Sequence, residues 1–254
     1  NNIMKFAANI ELWWTDIAFL DRINAASDAG FEAVEIWELE GKDIDKMARR
    51  LEDFQMKLTQ FTAWGWEKGM NHPDNLAAFV EQISEACKVG RRLNCSMGTV
   101  VGGDDQPGMT QKEMHDQITT GLKAVVPIVE ENEFMLILEP MNIRVDHPGH
   151  CLYGSAPGIK ICREVDSPMV KLNWDLYHMQ ITEGDLCGHI REGIDQIAYL
   201  QLADHPGRHE PGTGEINYKK VLEEAAKLGY SGYVGLECTP QENEKKALER
   251  INLL

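Results

Sequence analysis

The feature that most constrains this chain is a repeated alternation of short strand-like runs and longer helical segments. Apolar and β-branched runs occupy residues 4–12, 31–37, 57–64, 95–102, 134–141, 170–177, 197–203 and 232–238. Between them lie stretches with apolar residues at helical spacing, such as Ile44, Met47, Ala48 and Leu51, or Val221, Leu222, Ala225 and Leu228. Helix starts are marked by Thr15 or Asp16, Asp43, Pro73, Thr110, Ser155 and Asn217, and helix ends by Gly30 and Gly229. Strands alternating with helices predict a parallel sheet joined by right-handed crossovers. Eight such units favour closure into a single (β/α)8 barrel, a fold that takes about 250 residues. The chain has 254 residues and no break in composition, so one domain over residues 1–254 is expected.

In such barrels the chemistry sits at the C-terminal ends of the strands. The last four runs each carry, near their C-terminal end, a polar side chain able to bind a cation: Glu139, Asp175, Gln201 and Glu237. Strand side chains alternate between the interior and the helix layer. Ile137 and Glu139 share a face, as do Asn173 and Asp175, Tyr199 and Gln201, and Gly235 and Glu237, with leucines, Val234 and Trp174 on the opposite faces. The four polar ends therefore converge on one wall of the barrel mouth. A solitary strand-end carboxylate is often an ordinary ion pair, but matching parity in four consecutive strands is not explained that way. Three carboxylates brought together repel one another and lose solvation. A divalent cation answers both, and an all-oxygen set suits Mg²⁺ or Mn²⁺ before Zn²⁺. His178, three residues beyond Asp175 at the start of a loop, is a candidate hydrogen-bond donor behind the ligands or a substrate contact, unless it is simply a capping or packed histidine. Arg208, in the long loop 204–216, is a candidate partner for a substrate carboxylate, which a guanidinium binds bidentately. Trp13, Trp14, Trp64 and Trp66 follow the first and third runs and either wall the pocket or pack the loops. Glu35 and Glu38 either join the site or are simply exposed.

Composition narrows the partners. The formal charge is −16, from 25 basic and 41 acidic residues, which disfavours nucleic acid and anionic membranes. The six cysteines form no C-x-x-C pair and are expected to be reduced thiols. No basic-then-apolar leader and no apolar run near membrane-spanning length occurs, so a cytoplasmic protein is expected; self-association is left open.

The motifs Leu138-Glu139-Pro140, D-x-Y-H-M-Q over 175–180, Q-x-A-D-x-P-G-R-x-E-P-G-T-G-E-I-N-Y over 201–218 and Gly235-Leu236-Glu237 resemble the hydroxypyruvate isomerase family. That family lies within the xylose-isomerase-like TIM-barrel group of sugar isomerases and epimerases. The resemblance is close in the C-terminal half and loose in the N-terminal half. It implies a Mg²⁺ or Mn²⁺ site at Glu139, Asp175, Gln201 and Glu237, with Glu139 and Glu237 flanking the substrate as an acid/base pair. Related ketose 3-epimerases usually carry histidine where this chain has Gln201, which favours the isomerase branch. The loop after the second run and the Trp13-Trp14 pair differ from the family pattern.

The expectation is a metal-dependent aldose–ketose type isomerase. Its substrate would be a small α-hydroxycarbonyl acid or sugar, of the hydroxypyruvate/tartronate semialdehyde kind, reacting through an enediolate. The alternatives are a ketose 3-epimerase, a keto-sugar or keto-inositol dehydratase, an AP-endonuclease-like nuclease, which the charge disfavours, and a non-catalytic sugar-binding barrel.

Overall fold

The third run closes the sheet. The computed structural model describes residues 4–254, and in it this run is split into β3 (Lys57–Leu58) and β4 (Phe61–Trp64). The other strands are β1 (Lys5–Asn9), β2 (Ala33–Glu35), β5 (Met97–Val101), β6 (Met135–Glu139), β7 (Val170–Asp175), β8 (Ile197–Gln201) and β9 (Tyr233–Leu236). Their order is β3-β2-β1-β9-β8-β7-β6-β5-β4, with every pairing parallel. The two ends of that order are the two halves of one run, so the sheet returns on itself as a (β/α)8 barrel. Backbone bonds from Thr59 to Val34, from Ile36 to Gln60 and from Thr62 to Trp37 carry the seam across the split.

The helix layer is built from α1 (Asp21–Asp28), α2 (Ile44–Asp53), α3 (Leu76–Leu93), α4 (Gln111–Glu131), α5 (Ser155–Val165), α6 (Leu176–Thr182), α7 (Leu186–Gly193), α8 (Tyr218–Lys227) and α9 (Glu244–Ile251). The caps read from sequence at Asp43, Thr110 and Asn217 are formed, that at Thr110 as a full capping box with Glu113. The expected start of the first helix at Thr15 or Asp16 is wrong. The backbone N–H groups of Leu12 and Trp13 both turn back to the Asn9 carbonyl, and Trp14 sits at φ 53°, outside the helical region. Trp13 is thereby buried and the helix begins at Asp21.

Two layers of different chemistry fill the molecule. Leu138, Leu172, Trp174, Leu200, Val234 and Leu236 face the helices and are fully buried, forming the apolar core whose removal from water drives closure. Inside the barrel many of the buried side chains are polar, among them Asn9, Glu35, Gln60, Thr99, Asn173 and Gln201. Gly235 makes room for this set, since a Cβ there would lie 1.5 Å from Glu35 Oε1. Among the described residues no helix is long and apolar enough to cross a membrane, and the six cysteines are unpaired.

Candidate active site

The alternation of side chains along each strand delivers the four polar ends as read from sequence. Glu139, Asp175 and Gln201 are the last residues of β6, β7 and β8, and Glu237 directly follows β9. All four are buried, none more than 6% exposed. Asp175 also caps α6, its Oδ1 accepting from the His178 N–H at 2.9 Å. This corrects the expected strand end at Tyr177 and the loop position of His178. With Asp175 satisfying the first turn, the chain enters a helix at Leu176 and places His178 in its first turn, pointing back over the strand ends. Glu139, Asp175, His178 and Glu237 offer ligating atoms that all lie within 4.8 Å of one another. Gln201 sits against this group. Its Nε2 donates to Glu237 at 2.6 Å and to Glu35 at 2.7 Å, and its Oε1 accepts from Asn173 Nδ2 at 2.9 Å.

Glu35 lies directly beneath and is a buried carboxylate, not an exposed one. Asn9, Tyr199 and Gln201 donate to it at 2.7–2.9 Å. Burial pushes its pKa up to about 7, with those hydrogen bonds opposing the shift. The carboxyls of Glu139 and Glu237 are held well above the usual carboxylate range, chiefly by burial, then by Asp175 acting on Glu139 and by Glu139 acting on Glu237. Asp175 Oδ2 is buried and has no hydrogen-bond partner. Crowded carboxylates that resist ionisation, with an orphaned buried oxygen aimed among them, fit a divalent cation.

The loop after β8 is rigidly built around Asp204. Its carboxylate accepts from the backbone N–H groups of His205, Gly212 and Ile216 at 2.9–3.1 Å. That frame presents Arg208 in the left-handed backbone region at φ 60°. Arg208 donates to Glu237 Oε1 at 2.7 Å and to Asp146 Oδ1 at 3.2 Å, and its guanidinium lies 4.9 Å from the centre of the Tyr177 ring. Burial opposes its charge, but Glu237, Asp175 and Asp146 more than offset that and hold it fully protonated.

Above these groups is a cavity of about 330 Å³, lined by Glu139, His178, Gln201, Arg208 and Glu237 on one side and by Trp37, Glu38, Trp66 and His147 on the other. Of the tryptophans singled out in the sequence, Trp66 walls this cavity, stacked on His147 with ring centroids 4.5 Å apart. Trp13 and Trp14 pack together with Phe31, and Trp64 packs on Phe79. Burial pushes the His147 pKa down to about 4, so the stacked ring is neutral. Sequence reasoning missed Trp37, whose Nε1 lies 3.4 Å from Glu237, and the loop after β6 that supplies Asn142, Asp146 and His147. The signal available was the Asp146-His147-Pro148-Gly149-His150 cluster, whose spacing alone names no partner. A larger depression of about 810 Å³ at the opposite, N-terminal end of the strands contains no comparable group of ligands among the described residues.

Residues 23–254 match the model of the family described as xylose isomerase-like TIM barrel. The hydroxypyruvate isomerase of Escherichia coli K12 is 29% identical over 97% of this chain and 97% of its own length. The 2-oxo-tetronate isomerase of Pectobacterium atrosepticum is 30% identical over 96% of this chain and 95% of its own. Among solved structures, the crystal structure of an AP endonuclease, family 2, from Brucella melitensis superposes with a TM-score of 0.93 at 25% identity, covering 99% of each chain.

Proposed function

The chain belongs to the xylose isomerase-like TIM barrel family, and from that premise we propose that it is an isomerase of a small sugar acid, moving a carbonyl between adjacent carbons of an α-hydroxycarbonyl acid of the hydroxypyruvate or 2-oxo-tetronate kind. The observation that carries this reading is the placement of Arg208 over three buried strand-end carboxylates, with a cavity between them and the tryptophans. Relatives of nearly equal length named as isomerases of such acids support it.

Glu139, Asp175 and Glu237 would hold a divalent ion, Mg²⁺ or Mn²⁺, together with Gln201. When bound, the ion supplies Lewis-acid polarisation of the substrate carbonyl and its neighbouring hydroxyl. Arg208 binds the substrate carboxylate through the arm now on Asp146. Trp37, Trp66 and His147 exclude water from the reacting carbons. Glu139 and Glu237 end strands three apart in the sheet order and would flank the reacting carbons of a substrate held between them. One takes the proton from the hydroxyl-bearing carbon to give an enediolate, the hydroxyl proton of that carbon passes to the former carbonyl oxygen, and a proton returns to the former carbonyl carbon. A nucleic-acid substrate is disfavoured by the charge of −16.

The test is turnover of hydroxypyruvate and 2-oxo-tetronate with Mn²⁺ or Mg²⁺ in D₂O. Isomerisation places deuterium on the former carbonyl carbon or, where the base shields its proton, transfers the substrate's own hydrogen to it. Inversion at one carbon with no carbonyl shift would instead establish an epimerase. No turnover of either acid by metal-loaded protein would refute the reading.

A further inference from the structure

We infer that Asn142 is a positioning residue that holds His178 as a single neutral tautomer, with the proton on Nε2 and directed at the metal-binding carboxylates and the cavity. Asn142 is fully buried in the loop after β6. Its Oδ1 accepts from two backbone N–H groups, those of Val145 at 3.0 Å and Asp146 at 3.1 Å. Backbone amides only donate, so the amide orientation is fixed by the loop rather than chosen by the site. Nδ2 is then the edge that faces inward, 2.9 Å from Asp146 Oδ2 and 2.8 Å from His178 Nδ1. Turning the amide over would set an oxygen against the Asp146 carboxylate and an NH₂ against two backbone N–H groups. Both exchanges are repulsive in a buried site.

Since Asn142 Nδ2 donates, His178 Nδ1 accepts and carries no proton. In a neutral ring the proton is therefore on Nε2, which lies 3.4 Å from Glu139 Oε2 and lines the cavity. This separates two roles that distance leaves merged. His178 belongs to the group of ligating atoms within 4.8 Å of one another, but a histidine coordinates through an unprotonated nitrogen. To bind an ion through Nε2 it would have to protonate Nδ1 and oppose the Asn142 N–H₂ donor at 2.8 Å. The ring is thus held out of the ligand set and kept as an N–H donor, toward Glu139 in the resting protein and toward a substrate oxygen when the cavity is filled. The inference rests on the loop geometry and is independent of which acid is the substrate.

The experiment is long-range ¹H–¹⁵N correlation on full-length protein with ¹⁵N-labelled histidine, metal-free and then with saturating Mg²⁺. The resonances of His178, one of eight histidines, are assigned by their loss in His178→Gln. The expected result is an unprotonated Nδ1 and a protonated Nε2 in both states. Asn142→Asp keeps an acceptor for the two backbone amides but removes the donor, and should move the proton to Nδ1. A native Nδ1–H tautomer, an Nε2 that loses its proton on Mg²⁺ binding, or a folded Asn142→Asp protein with an unchanged tautomer would each overturn the inference. Should Asn142→Asp fail to fold, the spectra of the native protein decide alone.

Discussion

Replacing Arg208 with lysine keeps the charge and removes the fork. In the structure the guanidinium spans Glu237 and Asp146 at 2.7 and 3.2 Å while lying over Tyr177. An ammonium on a flexible stem can meet one of those partners at a time. Its natural choice is Glu237, the more buried of the two carboxylates, which leaves the substrate carboxylate without its hydrogen bond to this residue. One charge-assisted hydrogen bond lost in a desolvated site costs about 2–3 kcal/mol. At tenfold per 1.4 kcal/mol, kcat/KM for an acid such as 2-oxo-tetronate should fall about 30- to 140-fold. The neutral ketose of the same length, erythrulose, has no carboxylate to lose, so its kcat/KM, or its inhibition constant if it is not turned over, should change only a few-fold. The assay compares both compounds on wild type and Arg208→Lys at saturating Mn²⁺. An equal loss on acid and neutral sugar would refute the reasoning, because Arg208 would then act through Glu237 rather than on the anion.

Asp175→Asn removes the charge behind the orphaned buried oxygen, so elemental analysis should find divalent-metal occupancy strongly reduced; full occupancy would count against the site. Glu237→Gln and Glu139→Gln keep an oxygen ligand but remove the base, and turnover should collapse by about two orders of magnitude or more while part of the metal is retained; near-native turnover in both variants would refute the glutamate-base mechanism. Gly235→Ala drives a methyl into Glu35, so the melting temperature should fall and activity with it, and an unchanged melting temperature would mean the buried network yields freely. The carboxyls of Glu35, Glu139 and Glu237 have raised pKa values in the fold, so their neutral forms are favoured there. Their stabilising effect is full below the unfolded value near 4.5 and is lost as pH rises through about 7, the value reached by Glu35. Metal-free protein should therefore melt at a lower temperature at pH 7.5 than at pH 5.5, with Mg²⁺ removing most of the difference; stability that rises over this interval without metal would contradict the electrostatics.

The sequence by itself determined the barrel and the strand ends of its mouth. Strand parity and helix spacing are local periodicities, fixed by backbone geometry, so the convergence of Glu139, Asp175, Gln201 and Glu237 could be read from alternation alone. The caps at Asp43, Thr110 and Asn217 are local for the same reason. Where a non-local contact decided, the reading failed or stayed open. Trp13 in the core and Trp14 at positive φ delay the first helix to Asp21. The Asp175 cap turns the expected loop at His178 into a helix. Glu35 is exposed or buried depending on whether β9 brings a residue without a side chain beside it, and Gly235 lies 200 positions away. Only the tertiary structure set Asp146 against Arg208, Trp66 against His147, and Asn142 against His178, because each pair joins segments that follow different strands. Their spacing in the chain carries no trace of the angle at which the closed barrel brings its loops together.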